Sequence, residues 1–80
     1  MKQGILGYNR DNGRYGLLRS DLWEIDGFHC GEGIEVKIDG EWISTRFEYS
    51  HESEEWYLVG TSLRGEALEY LTARVGNNIE

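Results

Sequence analysis

Residues 28–32 read Phe-His-Cys-Gly-Glu and hold the single cysteine of the chain beside one of its two histidines. A thiol, an imidazole and a carboxylate within four positions are the groups of a metal corner or of an activated nucleophile. As a metal site, His29, Cys30 and Glu32 need a further ligand, and His51 lies twenty-two positions beyond His29. Structural zinc is held by four ligands, dominated by cysteines paired at short spacing, and this chain has one cysteine. In an extended segment His29 and Cys30 point to opposite faces. That opposes joint coordination, and it keeps the imidazole out of hydrogen-bond reach of the sulfur. The stretch therefore reads as a seam of the core: Cys30 a small buried hydrophobe, Gly31 a turn or bulge, His29 at the rim. No metal or other cofactor is expected. His29, Cys30 and His51 remain the candidate ligands of an alternative, a small zinc-binding regulatory protein.

No other constellation marks catalysis. Glycosidase chemistry needs two carboxyls across a cleft, for which eighty residues leave little room. The Gly-Glu-Gly at 31–33 lacks the spacing and the following helix of a phosphate loop. The expectation is a protein without enzymatic activity.

Two alternating runs carry the clearest structural signal. Ile34, Val36 and Ile38 share one face of "GIEVKI", with Glu35 and Lys37 on the other, the period of a half-buried strand. Asp39-Gly40 follows, a pair suited to a tight hairpin because glycine accepts positive φ. In "EWISTRFEY", Ile43, Thr45, Phe47 and Tyr49 share a face, with Ile43 and Phe47 expected inside; Trp42, Ser44, Arg46 and Glu48 share the other. After the polar loop "HESEE", the apolar run "WYLVG" reads as a further strand. Earlier, "GILGY" and "RYGLL" flank the turn-rich "NRDNG", a first hairpin with Ile5, Leu6, Tyr15 and Leu17 as core candidates. "SDLWEIDG" fits a short helical turn, with Ser20 as cap, or a loop. "SLRGEALEYL" has helical spacing interrupted by Gly65, and "TARVG" reads as a closing strand. The fold expected is a single all-β domain over residues 1–80: a small antiparallel SH3-like barrel of five or six strands, with a short helical turn near residues 62–71. Closure removes exposed sheet edges.

Charge is unevenly distributed. Residues 1–30 hold four acids and four bases, whereas residues 31–80 hold eleven acids and four bases, so the net charge of −7 lies in the later part. Such a field repels nucleic acid and anionic membranes and favours basic partners; a direct nucleic-acid binder shows the opposite sign. The later part also interleaves acids with rings. Glu35, Glu41, Trp42, Glu48, Glu52, Glu54, Glu55 and Trp56, with Tyr49 and Tyr57 between them, form the candidate partner-binding set, since tryptophan and tyrosine are frequent interface anchors. The competing reading places the tryptophans in the core and leaves the acids as a solvated loop.

The opening "MKQGILGY" lacks the pattern of a signal peptide, no apolar run is long enough to span a membrane, and one cysteine forms no internal disulfide. A cytoplasmic protein, monomeric or homodimeric, is expected.

Cys30-Gly31-Glu32, then Trp42, then Thr45-Arg46-Phe47-Glu48, then Trp56-Tyr57-Leu58-Val59-Gly60 form a pattern that resembles a family of small uncharacterised bacterial proteins. That family is a domain of unknown function common on phages and integrative elements, and the resemblance extends from Gly4 to Val75. It implies a bacterial host cell and a mobile-element setting, in which small acidic proteins often inhibit host defence, anti-CRISPR proteins among them. Carboxylates spaced along such a protein imitate phosphates. The function expected is therefore a non-enzymatic module that binds a basic surface on a nucleic-acid enzyme such as a CRISPR effector and blocks its substrate. A structural or accessory module with no inhibitory role is the remaining alternative.

Overall fold

The computed structural model describes residues 2–76. Seven strands form one antiparallel sheet: β1 Lys2–Asn9, β2 Arg14–Arg19, β3 Leu22–Ile25, β4 Gly33–Ile38, β5 Glu41–Ser50, β6 Glu55–Leu58 and β7 Thr72–Val75. Their spatial order is β3-β2-β1-β7-β4-β5-β6. Two three-stranded meanders, β1-β2-β3 and β4-β5-β6, are thus joined by the last strand. On one side β7 pairs Lys2 with Val75 and Gly4 with Ala73; on the other it pairs Glu35 with Arg74 and Val36 with Ala73. "TARVG" is a strand as expected, but it lies at the centre of the sheet.

Turn chemistry sets the register. Asp39 and Gly40 both take positive φ, at 52° and 84°, and Ile38 pairs directly with Glu41, the two-residue hairpin that Asp-Gly favours. Ser20 and Asp21 make the same kind of turn, with φ of 53° and 65°. "SDLWEIDG" therefore forms the β2–β3 turn and strand β3, in place of the expected helical turn or loop.

The all-β expectation holds, with seven strands among the described residues where five or six were expected. The sheet does not close into an SH3-like barrel. It curls until its two meanders share one core, and side chains and loops join its ends. The Trp56 indole Nε1 on β6 donates to the Gly13 carbonyl at 2.9 Å, and the Tyr15 hydroxyl on β2 donates to the Gly65 carbonyl at 2.9 Å. The only helical element among the described residues is a 3-10 helix, Gly65–Leu68, inside the window expected for a helical turn.

Period-2 burial places Leu6, Tyr15 and Leu17 inside from one meander, and Ile34, Val36, Phe47, Trp56 and Leu58 from the other. Phe28, Leu68, Ala73 and Val75 complete the cluster, and Ile38, Ile43 and Tyr49 pack against it half-buried. Each fully buried large apolar side chain contributes about 1.5–3 kcal/mol of transfer free energy, against the entropy of ordering the chain. Ile5 is corrected. It is 38% exposed, because Leu6 faces inward opposite Leu17 and neighbours on a strand face opposite ways.

Ile5, Leu22 and Trp23 are exposed on the β1–β3 side. The Trp23 ring covers a glycine pair there, Gly7 opposite Gly16. At this sheet edge β3 has four residues, flanked by Arg19 and Asp21 and carrying Glu24, and short, charged edges resist strand addition.

Candidate protein-binding site

The segment 28–32 is not a seam of buried thiol. Phe28 alone enters the core, 1% exposed and stacked on Phe47 at 4.8 Å. Beyond it the chain turns at Gly31, φ 88°, and lies along β5: Gly31 N donates to Phe47 O at 2.7 Å and Phe47 N to Glu32 O at 3.0 Å. That path runs over the surface, so His29 and Cys30 are exposed. The Glu32 carboxylate accepts from His29 N at 2.6 Å. His51 stands edge-on to Tyr49 at 5.1 Å. Among the described residues, no three His, Cys, Asp or Glu side chains converge as metal ligands.

The acids proposed for partner binding separate into two groups. Three are paired with arginines of this chain: Glu35 with Arg74 at 2.6 Å, Glu48 with Arg46 at 3.1 Å and Glu55 with Arg64 at 2.8 Å. Trp42 is half-buried on the outer face of β5, with the Arg74 guanidinium 4.0 Å and the Lys37 ammonium 5.5 Å from its ring centre. Cations of the chain itself therefore occupy much of that face. Glu41, Glu52 and Glu54 are exposed and make no ion pair among the described residues. Trp56 is 9% exposed with its indole nitrogen satisfied, which makes it a core residue that shows one edge to solvent.

That edge lines a cleft of about 430 Å³ between the two meanders and the 3-10 helix. Its walls are Tyr8, Tyr15, Tyr49 and Trp56. Tyr8 meets Tyr15 edge-on at 5.2 Å, and Tyr49 meets Trp56 edge-on at 5.2 Å. Around them stand four carboxylates, Glu54, Glu55, Glu66 and Glu69, against one guanidinium, Arg10. Of these only Tyr49, Glu54, Glu55 and Trp56 belong to the set read from sequence. The others come from segments far apart in the chain. Glu66 lies in the 3-10 helix and Glu69 caps its C-terminal end.

The Tyr15 phenol reports the field in this cleft. Burial raises its pKa to about 12, with further contributions from Glu69, Tyr8, Glu66 and Glu55. In the unfolded chain it ionises near 10. A proton held to higher pH in the folded state contributes stability that is complete below pH 10 and is lost as pH rises to about 12. Urea midpoints are therefore expected to fall between pH 10 and 12, and to fall less in Tyr15→Phe. An equal fall in both proteins contradicts the assignment.

Fold and cleft together define a small all-β domain that presents an anionic, aromatic-lined surface. Residues 4–75 match the family described as a domain of unknown function, DUF5348, and the chain belongs to that family. It is also similar to a crystal structure of a protein from Ruminococcus gnavus, determined by a structural genomics consortium. The two are 32% identical with a TM-score of 0.75, over 92% of this chain and 100% of the other. No curated protein matches the chain. No helix among the described residues is long and apolar enough to cross a membrane.

Proposed function

We propose that this protein is a non-enzymatic binding module whose cleft side, with the adjoining β5–β6 turn, engages a basic surface of another protein. The observation that carries this reading is the cleft, where four aromatic rings and three carboxylates that make no ion pair among the described residues, Glu54, Glu66 and Glu69, stand against one arginine, Arg10. Desolvated rings supply anchoring area at interfaces, and the carboxylates select positive partners and speed encounter. Glu52, on the turn beside the cleft, extends the same sign of charge.

Within this reading the partner is a nucleic-acid-processing enzyme of a bacterial cell, such as a CRISPR effector. The protein, carried by a phage or mobile element, covers the channel that nucleic acid would occupy. The net charge of −7 supports this. A tagged pull-down from bacterial lysate, with and without nuclease, tests it. The expected result is a basic nucleic-acid enzyme that stays bound after nuclease treatment. Capture that disappears with nuclease overturns direct protein binding.

A further inference from the structure

Arginine, aromatic ring and carboxylate come together twice within this chain. Arg74 lies over Trp42 at 4.0 Å and pairs with Glu35 at 2.6 Å. Arg64 lies over Tyr57 at 5.6 Å and pairs with Glu55 at 2.8 Å. The cleft repeats the rings and the carboxylates, and its own arginine, Arg10, lines it without pairing with any of them among the described residues. Glu54, Glu66 and Glu69 line it and make no ion pair among the described residues.

We infer that the cleft is the seat of an arginine side chain supplied by the partner, an inference that rests on the binding reading above. Aromatic rings attract cations where a face is open; Tyr8, 42% exposed, is the most open ring of the lining, whereas Trp56 offers an edge. The carboxylates stand on two sides, Glu54 from the β5–β6 turn and Glu66 and Glu69 from the 3-10 segment, so a forked donor is served better than a point charge. Guanidinium is planar, stacks on aromatic faces, presents five N–H groups and is more weakly hydrated than ammonium. Lysine satisfies the charge but neither the stacking nor the fork. The backbone around the seat is tied down by the bonds from Tyr15 to Gly65 and from Trp56 to Gly13, so little ordering is required when the side chain enters. Arg10 is the one repulsive group, and it is exposed.

The probes are three capped nonapeptides of glycine and serine carrying three arginines, three lysines or three citrullines, titrated into the isotope-labelled full chain and followed by NMR. With the arginine peptide, the expected shifts centre on the Trp56 indole N–H and the amides of Gly13, Gly65 and Glu66. The lysine peptide should bind about threefold or more weakly, and citrulline, which keeps the shape without the charge, about tenfold or more weakly. Glu66→Gln and Glu69→Gln preserve shape and hydrogen bonding, and each should weaken the arginine peptide about threefold with the amide spectrum otherwise unchanged. Shifts centred elsewhere, or equal affinity for arginine and lysine peptides, overturn the arginine seat. Should charge reversal at Glu52, which does not line the cleft, still release a captured partner while the arginine peptide leaves the cleft resonances fixed, the acidic-module reading survives and the arginine seat does not.

Discussion

Phe47→Ala is expected to destabilise the protein by about 4 kcal/mol and lower its Tm by about 20 °C. Phe47 is fully buried, stacks on Phe28 at 4.8 Å and meets Trp56 edge-on at 6.2 Å. Removing the ring deletes transfer free energy and leaves a cavity between groups drawn from separate segments, which cannot collapse together. A domain of this length has roughly 4–12 kcal/mol of total stability, so the change consumes a large share of it. The backbone of Phe47 also holds the 28–32 turn through Gly31 and Glu32. Amide exchange at Gly31 should therefore accelerate along with global unfolding. Thermal unfolding checks the first claim, and a Tm loss under about 5 °C would mean that Phe47 is not at the centre of the core.

Gly16→Ala is expected to cost about 3 kcal/mol, the upper end of overpacking penalties. A β-carbon at Gly16 overlaps the carbonyl oxygen of Ile25 and stands 2.9 Å from the Trp23 ring and 3.0 Å from the Asp26 carbonyl carbon. Two of these neighbours are backbone and cannot rotate away, so β3 has to move off β2. Gly33 is the control. A β-carbon there meets nothing nearer than 3.7 Å, and Gly33→Ala should be neutral or stabilising, since alanine restricts the unfolded chain. Urea midpoints of the two variants decide the matter. Equal midpoints contradict the packing of β3 over the glycine pair.

Local features of the fold were legible in the sequence, and its assembly was not. Asp39-Gly40 and the alternation on either side of it fixed the β4–β5 hairpin with its inward faces, because both depend on neighbours in the chain. "NRDNG" marked the first hairpin for the same reason. Ser20-Asp21 escaped, since a serine at positive φ lacks the glycine that advertises such a turn. Alternation identified "TARVG" as a strand, but periodicity reports which side of a strand is buried and not which strands flank it. Its place between β1 and β4 depends on pairings across most of the chain.

The candidate site divides the same way. Charge bookkeeping located the excess of acids in residues 31–80, yet could not reveal that Glu35, Glu48 and Glu55 are matched by Arg74, Arg46 and Arg64. Cys30 was misplaced because a cysteine in an aromatic context reads as core. The main-chain bonds from Gly31 and Glu32 to Phe47, which carry the chain over the surface, have no sequence signature. The cleft gathers Tyr8, Tyr49 and Glu66 from three segments whose approach is purely tertiary.

The most direct test of the acidic surface is the association rate of the captured partner with wild type and with the Glu52→Lys, Glu54→Lys, Glu66→Lys variant, measured at low and high salt. All three side chains are exposed and make no ion pair among the described residues, so the fold should tolerate the change. The account predicts association slowed about tenfold or more at low salt, with the difference shrinking as salt screens the field. Equal rates for the two proteins at both salt concentrations would contradict it.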